Sequence, residues 1–313
     1  MTDTIHIVVA TDANYLIHTA TLLQSIADNC HSPVVMHVLE SGIGDPGREM
    51  LSGVSYSIAC RFYQVDDTVI QQRLFNGGAI GGDRSLSSFA RLMIPELLDA
   101  DIHRCLYMDV DAIVLSDLNS IYAIDLVGYA IAGVLDANPV RRHLSVGLSP
   151  ADVYINAGMI LWNLDYCRQH NVVDRFASFI AGYNGNVDAM DQGTLNGVLS
   201  KETFIISPSN NMLTAFFQLT AQEISHIYGV KTYTQPDYEA GRKSPVFVHF
   251  TPNLTTRPWV KNCRHPLKNL YWKYRLKVDP AYRLQRDTRP AKIKMLSWLF
   301  YNCKPIWRWL ITK

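Results

Sequence analysis

The sequence lacks the marks of a disulfide framework or a zinc site. Six cysteines are scattered over 313 residues, at 30, 60, 105, 167, 263 and 303, with no CxxC pair and no Cys/His cluster. Several sit inside apolar runs, so they read as reduced, buried thiols of a cytosolic chain. Long hydrophobic runs are also missing. No stretch reaches the roughly 18 uninterrupted apolar residues of a membrane span, so none is expected. The opening MTDTIHIVVATD has no basic region ahead of an apolar core of signal length and reads as a first strand. The glycine-rich stretch FNGGAIGGD (75–83) matches neither GxGxxG nor GxxxxGKS/T, so it supports neither a Rossmann fingerprint nor a P-loop. Low-complexity tracts and internal repeats are absent too. With 48% hydrophobic residues, the chain should fold around one large core, or a core plus an appendage.

The net charge is only +1, but it is unevenly spread. Residues 261–313 hold fourteen Lys and Arg against two Asp, a net of +12, which leaves the first 260 residues at −11. A mildly acidic body therefore carries a strongly basic tail, which points to a polyanionic surface as the tail's partner.

The centre of the chain is RCLYMDVDAIVLSDL (104–118), where Asp109 and Asp111 flank Val110 between two apolar runs. In extended backbone, residues two apart face the same side, so the two carboxylates meet. Two like charges in an apolar setting repel and lose hydration, and a Mg²⁺ or Mn²⁺ ion with hard oxygen ligands resolves that conflict. The competing reading is a strand that ends in a solvated acidic turn.

Around this stretch the chain alternates strand and helix. IHIVVA (5–10), PVVMHVLE (33–40) and SYSIACRFYQV (55–65) read as strands. The segment after Asp12 and Asn14 reads as a helix with Leu16, Ala20, Leu23 and Ala27 on one face. This is the pattern of parallel βαβ units, in which ligands sit beyond the carboxyl ends of the strands. Ala10, Asp12 and Asn14 follow the first strand, although Asp12 is as well explained as a helix cap.

The segment 75–98 begins glycine-rich and then turns helical, and carries Arg91, by default an exposed helix arginine. YAIAGVLDA (129–137) is a strand. Asn156 precedes Ala157 and Gly158, where the backbone could approach a ligand closely, or is simply a turn residue. Asp191 and Gln192 open a short helix, where an Asp suits the helix dipole. His249 ends an apolar strand and is followed by a loop with Arg257, Pro258 and Trp259. An imidazole there is by default structural, yet it also suits Mn²⁺ beside two carboxylates. KIKMLSWLFYNCKPIWRWLITK (292–313), broken by Pro305, mixes large apolar groups with cations. It suits an anionic membrane interface, or else a helix packed on the body. No nucleic-acid motif accompanies its basic residues.

The order ATDANY (10–15), SSFARL (87–92), LYMDVDAIVLSDL (106–118), YINAGMILWNL (154–164), MDQGTLN (190–196) and HFTPNLTTRPW (249–259) resembles glycosyltransferase family 8. Its bacterial lipopolysaccharide and lipooligosaccharide galactosyl- and glucosyltransferases are most similar. The resemblance implies an α/β, GT-A-type fold with a central mixed, mostly parallel sheet. It divides the chain into a catalytic domain over 1–262 and a basic, aromatic, membrane-associating helical tail over 263–313. The implied enzyme is cytoplasmic, on the inner face of the cell membrane. It would move galactose or glucose from UDP, with retention and with Mn²⁺ (or Mg²⁺), onto a saccharide or glycolipid acceptor.

The same resemblance assigns Asp109, Asp111 and His249 to the metal. Ala10, Asp12, Asn14 and Val110 go to the nucleotide, and Arg91, Asn156 and Asp191 to the donor sugar. Gln192 falls beneath the anomeric carbon. The family's diphosphate-binding Lys before Pro-Trp is replaced here by Arg257. Two other readings compete: an Asp-x-Asp phosphatase or mutase, and a non-catalytic sugar-nucleotide-binding protein. The phosphatase pattern places its pair after the first strand and follows it with Thr, whereas position 113 here is Ile.

Overall fold

In β1 (Ile5–Asp12), Ile5, Ile7 and Val9 enter one apolar cluster while Val8 enters another. This is the period of two expected of a strand buried on both faces. The same partition recurs in β4 (Arg104–Met108), where Leu106 and Met108 face one way and Cys105 and Tyr107 the other. The computed structural model describes residues 4–76, 86–252 and 254–311. The remaining strands are β2 (Val34–Ser41), β3 (Ile58–Gln64), β5 (Ala112–Val114), β6 (Ile131–Leu135), β7 (Ile155–Asn163), β8 (Thr203–Ile205), β9 (Met212–Leu213) and β10 (Phe247–His249).

Seven strands form one sheet in the order β3-β2-β1-β4-β7-β6-β8. All neighbours are parallel except at β7, which runs antiparallel to both β4 and β6. The expected mixed, mostly parallel α/β sheet is therefore present. A second sheet, β5-β10-β9, begins directly after the Asp109–Asp111 pair. Its β10 pairs antiparallel with β5 and sets His249 opposite Ala112. A residue near position 250 is thereby carried to the end of β4.

The segment 86–98 is a tight 3₁₀ turn over Ser87–Met93 followed by a short α-helix, Ile94–Leu97, where Pro95 occupies the first turn. Most of the glycine-rich stretch before it, residues 77–85, lies outside the described residues. The basic tail forms three helices, Lys268–Val278, Ala291–Asn302 and Lys304–Ile311; the chain breaks at Cys303, and Pro305 sits within the last helix's first turn. The first of these lies on the helix Leu16–Asn29. There Tyr271 Oη contacts His18 Nδ1 at 2.6 Å and Asn29 Nδ2 donates to Tyr274 Oη at 2.9 Å. Phe300 and Trp307 are buried in the same apolar cluster as β1. Ile293, Met295, Trp298, Ile306 and Trp309 remain exposed.

Arg168 fixes the approach to β4. Its guanidinium donates to the carbonyls of Pro95, Leu98, Asp99, Ala100 and Ile102 at 2.9–3.3 Å. Replacing Arg168 with Ala should cost about 3 kcal/mol, because several carbonyls lose a charged donor together. A lowered denaturation midpoint would show this, and Lys at that position, lacking the planar fork, should recover little of it.

Candidate active site

β1 and β4 run side by side and parallel, with Val8 opposite Tyr107, so 10–14 and 109–111 leave the sheet at the same edge. Two backbone hydrogen bonds then pin the acidic pair. The Asp109 N–H donates to the Gly158 carbonyl of β7 (2.8 Å), and the Phe250 N–H donates to the Asp111 carbonyl (2.9 Å). Val110 turns its side chain into the core between them.

Two guanidinium groups and one imidazole converge on the two carboxylates. Arg91 Nη2 lies 2.9 Å from Asp109 Oδ1, which also accepts from Tyr107 Oη at 2.9 Å. His249 Nε2 lies 2.9 Å from Asp111 Oδ1 and 3.6 Å from Asp109 Oδ2. Arg257 grips Asp111 Oδ2 with Nη2 (2.8 Å) and Nε (3.0 Å). Burial alone would raise the Asp111 pKa, but His249 and then Arg257 outweigh it and hold the carboxyl well below the usual carboxylate range. Burial likewise pushes His249 down, yet Asp111 above all, and then Asp109, leave its imidazole raised. Ligand atoms of Asp109, Asp111 and His249 all lie within 4.8 Å of one another. Two hard carboxylate oxygens and one imidazole nitrogen suit Mn²⁺ or Mg²⁺, with positions left for other oxygen ligands.

The imidazole is aimed from behind. Asn156 Oδ1 faces His249 Nδ1 at 3.2 Å, and Asn156 is itself held by donors from Gly158 N and Asn211 Nδ2, each at 3.0 Å. With Nδ1–H directed at an amide oxygen, Nε2 is the nitrogen left to bind a cation. Gly158 makes room for this ring, since a Cβ there would come within 2.2 Å of His249 Cε1. The group that approaches its backbone closely is thus a side chain of the protein itself.

Arg91 is buried and is not the exposed helix arginine of the default reading. It spans Asp109 and Asp191, with Nε 2.9 Å from Asp191 Oδ2, donates to the Ala157 carbonyl at 2.8 Å and lies 4.5 Å over the Tyr107 ring. Burial opposes its charge, but Asp109 and Asp191 overcome this and keep it protonated. Burial raises the Asp191 pKa, with Arg91 pulling the other way. Asp191 and Gln192 open the helix Met190–Leu199, entered through Ala189 and Met190 at φ +58° and +54°, a left-handed turn unusual for non-glycine residues.

Gln192 Nε2 donates to Asp136 Oδ2 (2.9 Å), and its Oε1 accepts from Ala157 N (3.1 Å). Asp136 is the main residue that sequence reasoning missed. It directly follows β6, and burial raises its pKa against the Gln192 hydrogen bond. It also lines a cavity of about 550 Å³ with His143, Tyr154 and Val230. Asp12 folds onto its own turn, accepting from the N–H groups of Asn14 (2.9 Å) and Tyr15 (3.0 Å), which is the turn-capping role. Ala10 lies within β1, opposite Leu39, and Asp12 is the strand's last residue, so neither follows the strand as expected. The structure thus joins Arg91, Asp109, Asp111, Asn156, Asp191, Gln192, His249 and Arg257 in one continuous polar network, with Ala10, Asp12 and Asn14 at the same sheet edge.

A parallel-rich α/β sheet with a carboxylate–imidazole cluster at the ends of its strands defines the class: a GT-A-type glycosyltransferase. The solved structure of the galactosyltransferase LgtC with donor and acceptor sugar analogues superposes with a TM-score of 0.70 at 20% identity, over 92% of this chain and 98% of that one. The chain belongs to glycosyl transferase family 8, whose model matches residues 6–263. General stress protein A of Bacillus subtilis is 25% identical, over 86% of this chain and 92% of its own length. The lipopolysaccharide 1,2-glucosyltransferase of Escherichia coli is 22% identical, over 68% of this chain and 59% of its own length.

Gly158→Ala should displace the His249 ring and weaken Mn²⁺ binding about 10- to 100-fold, while circular dichroism stays unchanged. Calorimetric titration with Mn²⁺ reads this directly. A cation needs neutral imidazole, and the His249 pKa is raised, so Mn²⁺ affinity should begin to fall while the pH, on its way down, is still above the ordinary imidazole range. A pH-independent affinity in the same titration would remove His249 from the ligand set.

Proposed function

We propose that the protein is a retaining hexosyltransferase that moves galactose or glucose from a UDP-sugar to a saccharide acceptor of lipopolysaccharide core or another cell-surface glycan. The observation that carries this reading is the convergence of Asp109, Asp111 and His249 within 4.8 Å at the carboxyl edge of the sheet. A galactosyltransferase as fold neighbour and a lipopolysaccharide glucosyltransferase as relative support the hexose donor and the acceptor class. A Mn²⁺ ion held by the cluster would supply Lewis-acid stabilisation of the diphosphate leaving group.

In this reading Ala10, Asp12, Asn14 and the backbone at Val110 line the uridine and ribose. Arg257 exchanges Asp111 for phosphate oxygens, which its fork can clamp in pairs. Arg91, Asn156 and Asp191 hold the donor sugar, and Gln192 lies beneath its anomeric carbon. A carboxamide is a poor nucleophile, unlike the carboxylate of retaining hydrolases. The reaction is therefore a front-face displacement in which the departing phosphate oxygen takes the acceptor hydroxyl proton. Asp136, which accepts from Gln192 Nε2, orients that carboxamide.

Among the described residues no helix is long and apolar enough to cross a membrane. The tail nevertheless exposes Trp298 and Trp309 beside Lys292, Lys294, Lys304 and Arg308. This composition suits the anionic inner face of the cell membrane, with the body in the cytoplasm.

Asp109→Ala and Asp111→Ala should each lower Mn²⁺-dependent transfer by at least about 10²-fold across a UDP-galactose and UDP-glucose panel. Retained turnover in either variant removes the metal role, and a covalent sugar trapped on Asp191 contradicts the front-face course. Replacing Trp298 and Trp309 together with Ser should reduce sedimentation with anionic vesicles, and added salt should weaken what remains. Binding unaffected by both changes would leave the tail as a packing element alone.

A further inference from the structure

A cavity of about 710 Å³ opens among residues 262–268, 287–289 and the helix Ala291–Asn302, apart from the Asp109 cluster. Its wall carries Arg264, Lys268, Arg289 and Lys294 against a single carboxylate, Asp287. That carboxylate is already engaged, accepting from Arg289 Nε and Nη2 (3.1 Å each) and from Asn262 Nδ2 at 3.4 Å. Among the described residues no acidic group lies within ion-pair distance of Arg264, Lys268 or Lys294. Arg264 instead stacks 5.3 Å over the Tyr301 ring, and Lys268 Nζ spends one of its protons on the Cys263 carbonyl at 2.9 Å. Arg289 Nη1 is buried with no hydrogen-bond partner. Lys268 Nζ also lies 5.4 Å over the Trp272 ring; three cations without a carboxylate partner around one concavity still repel one another, and a bound anion relieves that repulsion.

The surroundings narrow the choice of anion. A phosphomonoester carries a charge of about −1.5 to −2 at neutral pH on three acceptor oxygens, matching three unpaired cations, whereas a diester carries about −1. Trp298, at 56% exposure, forms part of the cavity wall, and Met295, at 57%, projects from the same helix. Large apolar groups left in water beside a cationic mouth suit a site that opens onto a lipid surface.

We propose that this cavity is a phosphate site that receives the phosphomonoester headgroup of a membrane-borne lipid. The proposal rests on the reading of the tail as membrane-facing and gives that reading a specific ligand. It also connects the tail to the sugar-transfer cluster. The Arg264 N–H donates to Thr255 Oγ1 at 2.6 Å and Ser297 Oγ to the Leu254 carbonyl at 2.5 Å. The same loop then carries Arg257 onto Asp111. The headgroup cavity and the acidic pair thus lie at the two ends of one segment.

The test uses the full chain in two arms. Calorimetric titration with inorganic phosphate and glycerol 3-phosphate should show saturable binding, weakened about tenfold or more by Lys294→Glu, a change at an exposed position that leaves the melting temperature unaltered. Vesicles carrying a phosphomonoester lipid should recruit the protein more strongly than phosphodiester vesicles of matched surface charge, and Arg264→Ala should abolish the difference. Absence of saturable soluble binding, or equal recruitment to both vesicle types, overturns the headgroup site while the membrane-facing tail stands. Recruitment to neither vesicle overturns the membrane reading and the headgroup site with it.

Discussion

Two carboxylates held together at the edge of a buried sheet must be neutralised, and much of this structure follows from that requirement. A buried charge without a partner costs several kcal/mol, so Asp109 and Asp111 are tolerable only inside a set of positive groups. The chain supplies Arg91 from a 3₁₀ turn before β4, His249 from β10 of the second sheet and Arg257 from the loop that follows it. Each comes from a different element, so the cluster also joins the two sheets. The second sheet is small, and its clearest structural consequence is to place His249 opposite Ala112.

The same neutralisation leaves the site ready for a cation. His249 and Arg257 occupy both oxygens of Asp111, while Arg91 and Tyr107 share one oxygen of Asp109. The other Asp109 oxygen faces His249 Nε2 at 3.6 Å, longer than a hydrogen bond. A divalent ion held here would take the place of contacts that His249 and Arg257 make with Asp111, and would not enter a bare pair of anions. Asn156 and Gly158 set the orientation in which the imidazole would meet it.

The sheet and the acidic pair were legible in the sequence because both are local patterns. The β-rich apolar run at 5–10 and two acids between apolar runs each carry their meaning within a few positions. Asp136 was not legible, since a lone acid after an apolar strand has many uses, and only the fold brings it to Gln192. Tyr107 and Asn211 were missed for the same reason: each reads as an ordinary core or turn residue until its partner is seen. Gly158 was noticed, but its neighbour was not, because the ring that fills its missing side chain comes from position 249. Arg91 shows the opposite error. A default of surface exposure suits most helix arginines, and here the half-buried Asp109 and the buried Asp191 override it.

The tail shows where composition stops being informative. A mixture of Trp, Tyr, Lys and Arg is compatible with packing and with a membrane, and the sequence has no means of assigning faces. The structure separates them: Tyr271, Tyr274, Phe300 and Trp307 turn inward, while Trp298, Met295, Ile306 and Trp309 turn outward. Anchoring and exposure therefore belong to the same segment and do not compete. Because the inward face packs on the helix that follows Asp12, and the loop before it holds Arg257, whatever the outward face binds is tied mechanically to the sheet edge that carries Asp12 and Asp111. A surface engaged by the tail would thus fix the orientation of the acidic cluster relative to that surface, which a flexible basic extension could not do.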